Sequence, residues 1–527
     1  MSITNDLKFK SKLTMKTTKL LSLGIVLITL GLFNSCSDSK NKSNEASKDT
    51  PPNIILLMGD DHGWDEVGYN NHPYVKTPVL DEMAANGLRF DRFYSAHPSC
   101  SPTRGSFMTG RHPVRYGTFS PNWSIRPEEI SIAHILGKAG YASAHYGKWH
   151  LGPVKKDSPT SPGAMGFDEW LSHDNFFEMN PVLSRNGEVP QKIEGEGSKV
   201  IIDEAIQFIQ KVNEKNQPFL VVVWFGSPHE PYSGLPEDLA LYENLPDELN
   251  EQKVNLTSNE TGTRVERSLR DVLQERYAEI TAMDRAIGDL RTFLKEKNLN
   301  ENTMLMYCGD NGTPASAART GMTIRGQKGN MYEGGVRVPG IIEWPAVIRN
   351  AAVTQSNFVT SDILPTLAEL TNQTLPNRPL DGISMVPYLK NPEQKRTEPI
   401  YFWSFNSGKA FDESAQPYID PQLQEGTTPL AKIMAGKYTR TFRNLKYETI
   451  SENDFGGERT MMGDRYKLVV EGQSPNEKGF ELYDIQNDRA EKNNLADSHP
   501  DIAENMNRKF TEWQKSVLTS LTGADYK

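Results

Sequence analysis

Cysteine is nearly absent: 527 residues hold only Cys36, Cys100 and Cys308. That scarcity excludes a disulfide framework, and no Cys/His set has the spacing of a zinc site. Positive charge is also in deficit. Lys and Arg number 58 against 68 acidic residues, a net charge of −10, and no basic stripe breaks the balance. A nucleic-acid partner is therefore excluded, and a polyanionic ligand can be held only by a local cluster of cations. Internal repeats are missing. Long apolar runs are missing too, apart from one near the N-terminus.

What remains is an ordinary globular composition, 37% hydrophobic and 24% charged, with length for one large domain and a smaller one. Residues 15–36 place two lysines before an apolar run too short and too near the terminus for a membrane span. Met15 is a plausible start, since residues 1–14 fit no export pattern. The run ends Phe33-Asn34-Ser35-Cys36, similar to a loose bacterial lipobox, which predicts lipidation at Cys36; signal-peptide cleavage near Ser35 is the alternative. Residues 37–52 read as a solvated tether. These features predict an exported, membrane-anchored lipoprotein, facing the periplasm or displayed at the cell surface.

From residue 53 apolar runs alternate with helical patterns, which predicts an α/β sandwich around a large, mainly parallel sheet. Buried-strand candidates are Asn53–Met58, Tyr141–Tyr146, Phe219–Phe225 and Thr303–Tyr307. Pro78–Gly87 reads as a helix closed by glycine, and a longer helix carries Leu273, Tyr277, Ile280, Met283, Ile287, Leu290 and Leu294. The catalytic domain is assigned to 53–395. A C-terminal subdomain over 396–527 combines a small antiparallel sheet with a helix bearing Ile502, Met506, Phe510, Trp513 and Val517. Residues 230–270 and 405–460, with 153–185, are loop excursions that can line a cleft.

The residues after each strand carry the chemistry. Asp60-Asp61-His62 follow the first, Lys148-Trp149-His150 the second, Ser227-Pro228-His229 the third and Asp310-Asn311 the fourth. Ligands of open α/β sheets bind outside the carboxyl ends of the strands, so these groups are expected on one rim. A further segment, His97-Pro-Ser-Cys100-Ser-Pro-Thr-Arg104, enters a predicted helix capped by Ser99 or Ser101, with Pro102 in its first turn. Cys100 would then face free N–H groups and Arg104, and an acidic, reactive thiol is expected. A buried structural cysteine is the alternative.

The Cys100-x-Pro102-x-Arg104 core with Thr109-Gly110-Arg111 resembles the signature of type I sulfatases, within the alkaline-phosphatase-like superfamily. Gly147-Lys-Trp-His-Leu-Gly152, Gly309-Asp-Asn-Gly312, Arg325-Gly-Gln-Lys328, Tyr332–Pro339 and Leu482-Tyr-Asp484 extend the resemblance over nearly the whole chain. It implies conversion of Cys100 by a maturation enzyme to formylglycine (3-oxoalanine), whose hydrate is the nucleophile. It implies Ca2+ on Asp60, Asp61, Cys100, Asp310 and Asn311, with Mg2+ the runner-up; the carboxylate and amide oxygens are hard ligands suited to such an ion. Arg104, Lys148, His150, His229 and Lys328 are implied as the remaining catalytic residues. The expected reaction is hydrolysis of sulfate esters on a glycan such as ulvan, carrageenan or a glycosaminoglycan. A phosphonate or phosphodiester hydrolase, and a glycan-binding lipoprotein without chemistry, are the alternatives.

Overall fold

The apolar run at the start of the domain forms strand β1 (Asn53–Gly59), and Ile54 to Met58 are wholly shielded from solvent. Its side chains alternate between two cores, as strand geometry requires. Ile54, Leu56 and Met58 pack with Phe107, Ile132 and Leu364 on one face, while Ile55 and Leu57 meet Ile201, Met283 and Ile287 on the other. Each such side chain contributes about 1.5–3 kcal/mol over its exposed state. The computed structural model describes residues 51–258, 263–317, 323–412, 414–429 and 439–527. The predicted lipobox with Cys36, Met15 and all of the expected tether but Pro51 and Pro52 lie outside them. Among the described residues no helix is long and apolar enough to cross a membrane.

Next in chain order come β2 (Leu88–Tyr94), β3 (Ala142–Lys148), β4 (Glu169–His173), β5 (Val182–Arg185), β6 (Gln191–Lys192) and β7 (Phe219–Trp224). A separate antiparallel pair, β8 (Lys253–Thr257) and β9 (Arg264–Ser268), stands in the acidic excursion. β10 (Thr303–Gly309), β11 (Arg337–Val338), β12 (Gly340–Glu343) and β13 (Ala352–Val359) return to the main sheet. Its order is β11-β2-β12-β10-β1-β7-β3-β4-β5-β6, with β13 also paired to β2. The stretch β10-β1-β7-β3-β4 is parallel throughout. Antiparallel pairings are confined to the flanks, apart from β13, which runs parallel to β2.

Helices over Pro78–Asn86 and Leu269–Glu296 match the predicted patterns. Gly87 does end the first, but in an extended conformation (φ −114°) rather than the left-handed one; a Cβ there would meet the carbonyl oxygen of Ile342 at 2.4 Å. The small C-terminal sheet has four antiparallel strands, β14 (Ile400–Trp403), β15 (Arg459–Met462), β16 (Tyr466–Val470) and β17 (Phe480–Asp484), and the helix Pro500–Leu521 packs Met506 and Phe510 against it. β15 was not foreseen, because Arg-Thr-Met-Met inside an irregular stretch offers no clean alternation.

Candidate active site

Parallel register delivers the first two loops together. Gly59 and Gly309 are partners across β1 and β10, so Asp60 and Asp310 leave the sheet side by side. Backbone bonds stitch the loops: the Asp310 N–H donates to Gly59 O and the Asp60 N–H to Ser227 O, each at 3.0 Å. On β3, Gly147 adopts φ +97°, and a Cβ there would lie 2.0 Å from the Trp224 carbonyl oxygen. Only glycine tolerates that approach, and it lets Lys148 enter the same rim.

Three carboxylates and three cations interlock there. Lys148 Nζ pairs with Asp60 Oδ2 at 2.6 Å, and both side chains are fully buried. The Arg104 guanidinium donates to Asp310 Oδ2 at 2.7 and 3.1 Å and to the Lys148 carbonyl at 3.1 Å. Lys328 Nζ lies 2.6 Å from Asp61 Oδ1. Asn311 Nδ2 donates to Asp61 Oδ1 at 2.8 Å, and the Asp61 N–H donates to Asp310 Oδ1 at 2.9 Å. Cys100 Sγ is 3.9 Å from Asp61 Oδ1, and His229 Nε2 is 3.8 Å from Asp61 Oδ2. Asp61 itself sits at φ 63°, strain of a kind that collects at functional sites.

Two details depart from expectation. Ser99 occupies the N-cap of the helix Cys100–Thr109, but its hydroxyl bonds His97 Nδ1 at 2.8 Å and no side chain caps the helix. Ser101 instead accepts from the Asn122 N–H at 3.2 Å. Nor is the Cys100 thiol acidic: burial pushes it up to about 12, and Lys148 and Lys328 only partly oppose this. Desolvation outweighs the helix terminus.

Electrostatics elsewhere follow the ion pairs. Burial alone would raise the Asp61 carboxyl, yet Lys328, His229 and Lys148 hold it well below the ordinary range. Burial draws His229 and His150 well below the ordinary histidine value; Asp61 counters this at His229, whereas Lys148 and Arg104 reinforce it at His150. His229 Nδ1 lies 2.5 Å from the Glu230 carbonyl, which leaves Nε2 facing the carboxylates, and its ring stacks on Phe176 at 4.6 Å.

His150 joins through a neighbour. Its Nε2 bonds Asn122 Oδ1 at 3.1 Å, which also accepts from Asn175 Nδ2 at 3.3 Å. Asn122, Asn175 and Phe176 escaped the sequence reading, because loop residues of common type carry no spacing signal. The other nearby histidines turn away: His62 bonds Tyr307 and the Glu66 carbonyl, His145 bonds Ser172 between Trp149 and Trp224, and His112 accepts from Trp403 N.

Asp60 Oδ1 and Asn311 Oδ1 are buried without a hydrogen-bond partner. Ligand atoms of Asp60, Asp61, Cys100 and His229 lie within 4.8 Å of one another. Unsatisfied hard oxygens inside such a group are what a divalent cation would satisfy, so the residues fit one. The expected ligand Asp310 is the more committed member, with one oxygen on the Asp61 N–H and the other on Arg104.

The sulfatase family model matches residues 52–373, more than half the chain. The chain belongs to the sulfatase family. As a sulfatase it is a sulfuric ester hydrolase, in a family that works with formylglycine and a divalent metal. It is 30% identical over 389 residues to the ulvan-active sulfatase of Formosa agariphila, covering 73% of each chain. It is 31% identical over 376 residues to human arylsulfatase A, covering 67% of this chain and 70% of the relative. Among solved structures it resembles Ps i-CgsB in complex with k-i-k-neocarrahexaose, with a TM-score of 0.69 at 24% identity over 88% of this sulfatase and 93% of the other chain.

Proposed function

We propose that this sulfatase removes sulfate from a sulfated oligo- or polysaccharide, using a formylglycine made from Cys100 and a Ca2+ held by Asp60, Asp61, Asp310 and Asn311. The observation that carries the reading is the buried cluster in which Cys100 meets three carboxylates and three cations. A hydrated formylglycine at position 100 would supply one hydroxyl to attack sulfur and a second whose deprotonation would let the aldehyde re-form as sulfate leaves. The divalent ion supplies positive charge for the sulfate oxygens and acidity for the hydrate.

The chain's own residues divide the rest. Lys148 and Lys328 aim ammonium groups at the space the sulfate oxygens would fill, where developing charge is stabilised most in a dry site. Arg104 anchors Asp310 and the Lys148 backbone, fixing both against Cys100. His150 Nδ1 is buried without a partner and is the free ring nitrogen that would take a proton from the residue at 100, an uptake that burial, Lys148 and Arg104 oppose. His229 faces the leaving alkoxide. Its Nε2 must first take up a proton, which burial and the two lysines oppose and Asp61 favours; a bound sulfate ester brings further negative charge to the same balance.

The names of two similar proteins, an ulvan-active sulfatase and a structure holding a neocarrahexaose, support a polyanionic algal glycan. The lipobox supports anchoring through Cys36 outside the cytoplasm, after maturation by a formylglycine-generating enzyme. Peptide mass spectrometry tests the first step: protein from a host with the maturation machinery carries an aldehyde at position 100, and active protein with an unmodified thiol would overturn the mechanism. Chelation is expected to abolish sulfate release, and Ca2+ to restore it better than Mg2+.

A further inference from the structure

Beyond the residues matched to the family, one segment of the irregular 405–460 stretch is sewn to the wall of the site. Arg443 bridges to Trp123: its N–H donates to Asn122 O at 3.0 Å, and its carbonyl accepts from the Ser124 N–H at 2.8 Å. Thr441 pairs with Glu425 from the other side. Residues 440–444 are therefore extended, and their side chains alternate. Thr441 and Arg443 are exposed, Phe442 and Asn444 are buried, and Arg440 is half-buried on the inward side.

That inward side faces His150. The Phe442 ring stands edge-on to the His150 imidazole at 6.4 Å, and the charge of Arg440 reaches the same ring. Among the described residues Arg440 is also uncommitted. Its Nε is buried without a hydrogen-bond partner, and among the described residues no carboxylate pairs with it. Burial draws it below the ordinary arginine value. A guanidinium half-removed from water and left unpaired is costly, unless an anion arrives to complete it.

We propose that Arg440 binds a second anionic group of the substrate, a uronate carboxylate or a further sulfate ester, beside the sulfate that is removed. The inference rests on the glycan reading above. A planar fork matches either anion with two parallel hydrogen bonds. Arg440 would thus select saccharides charged at two positions, and His150 and Asn122 would lie between its anion and the reacting one.

Two matched substrate pairs test this: a sulfated disaccharide with its uronate intact or reduced to the alcohol, and a disulfated saccharide with its monosulfated counterpart. Wild-type enzyme is expected to favour the doubly anionic member of one pair by about 10- to 100-fold in kcat/KM, the worth of a charged hydrogen-bonded contact. In Arg440→Gln that preference falls toward unity, and Arg440→Lys retains part of it; the pair that responds identifies the anion. A wild type indifferent in both pairs, or an unchanged preference in Arg440→Gln, overturns the role of Arg440 and leaves the glycan reading standing. Failure of the matured wild type to release sulfate from any of the four overturns the glycan reading, and this inference with it.

Discussion

At the scale of single residues, position 100 asks for chemistry that neither a thiol nor an alcohol can complete. The buried Cys100 thiol, pushed up to about 12, is a poor nucleophile as it stands. Serine there would offer one hydroxyl and no second with which to eliminate sulfate. Cys100→Ser is therefore expected to release at most one equivalent of alcohol per enzyme and then stop, and Cys100→Ala to release none; a product-burst assay separates the two. Lys328→Ala removes a cation from Asp61 and from the sulfate pocket. It should lower kcat by about 10²–10³, as loss of a transition-state donor does. Asp60, Asp61, His150, His229, Asp310 and Asn311 were legible because each lies just beyond a buried strand, and parallel strands end at one rim; Cys100, Arg104 and Lys328 stand on other segments and were legible only through the motifs around them. Arg440 and Asn122 were not legible: their placement depends on a long-range bridge between 123 and 443 that no local pattern announces.

At the scale of elements, the long helix Leu269–Glu296 does more than cover the sheet. Arg276, fully buried, donates to the Asp61 carbonyl at 2.6 Å and the Pro228 carbonyl at 2.5 Å, and pairs with Glu66 at 2.6 Å. It thereby fixes the Asp61 loop relative to the His229 loop. The apolar stripe predicted the helix, but a polar position beside Tyr277 gives no sign of such a partner. Arg276→Met strands a buried Glu66 carboxylate and is expected to cost about 3–5 kcal/mol of stability in chemical denaturation. Adding Glu66→Gln should recover much of that while kcat stays depressed. Two turns on, Asp284 accepts from the Val79 and Leu80 N–H groups, capping the helix Pro78–Asn86 where Thr77 supplies no side-chain cap. Burial raises its carboxyl to about 7, against those two N–H bonds. A raised folded-state value means stability fully present below the ordinary 3.8 and lost as pH climbs through 7. The melting-temperature advantage of wild type over Asp284→Asn should thus be largest near pH 4 and shrink toward pH 8.

At the scale of the whole molecule, the C-terminus closes back on the helix that carries Cys100. The chain reaches this helix through Arg111, the last residue of the motif that begins at Cys100. Its guanidinium pairs with Glu129 at 2.7 Å and with Asp525. Tyr526 completes the clamp. Its hydroxyl meets Glu129, and the Arg126 guanidinium lies between the Tyr526 and Tyr418 rings at 3.8 and 3.9 Å. These contacts join residues some 400 positions apart, which is why alternation and helical periodicity, both local signals, revealed the strands and helices but not the clamp. Deleting residues 524–527 leaves Arg111 with Glu129 alone and strips one face from Arg126. The loss of one charged partner and one cation–π face predicts about 2–4 kcal/mol of destabilisation. Thermal unfolding should show it as a drop of a few degrees, since an unfolding entropy of about 2.1 cal/mol/K per residue makes each kcal/mol worth about 1 °C in a protein of this size. Because the clamp touches no group that meets substrate, kcat measured well below the transition should persist in the truncated protein. An unchanged melting temperature would show that the terminal turn rests on the surface without holding the Cys100 helix in place.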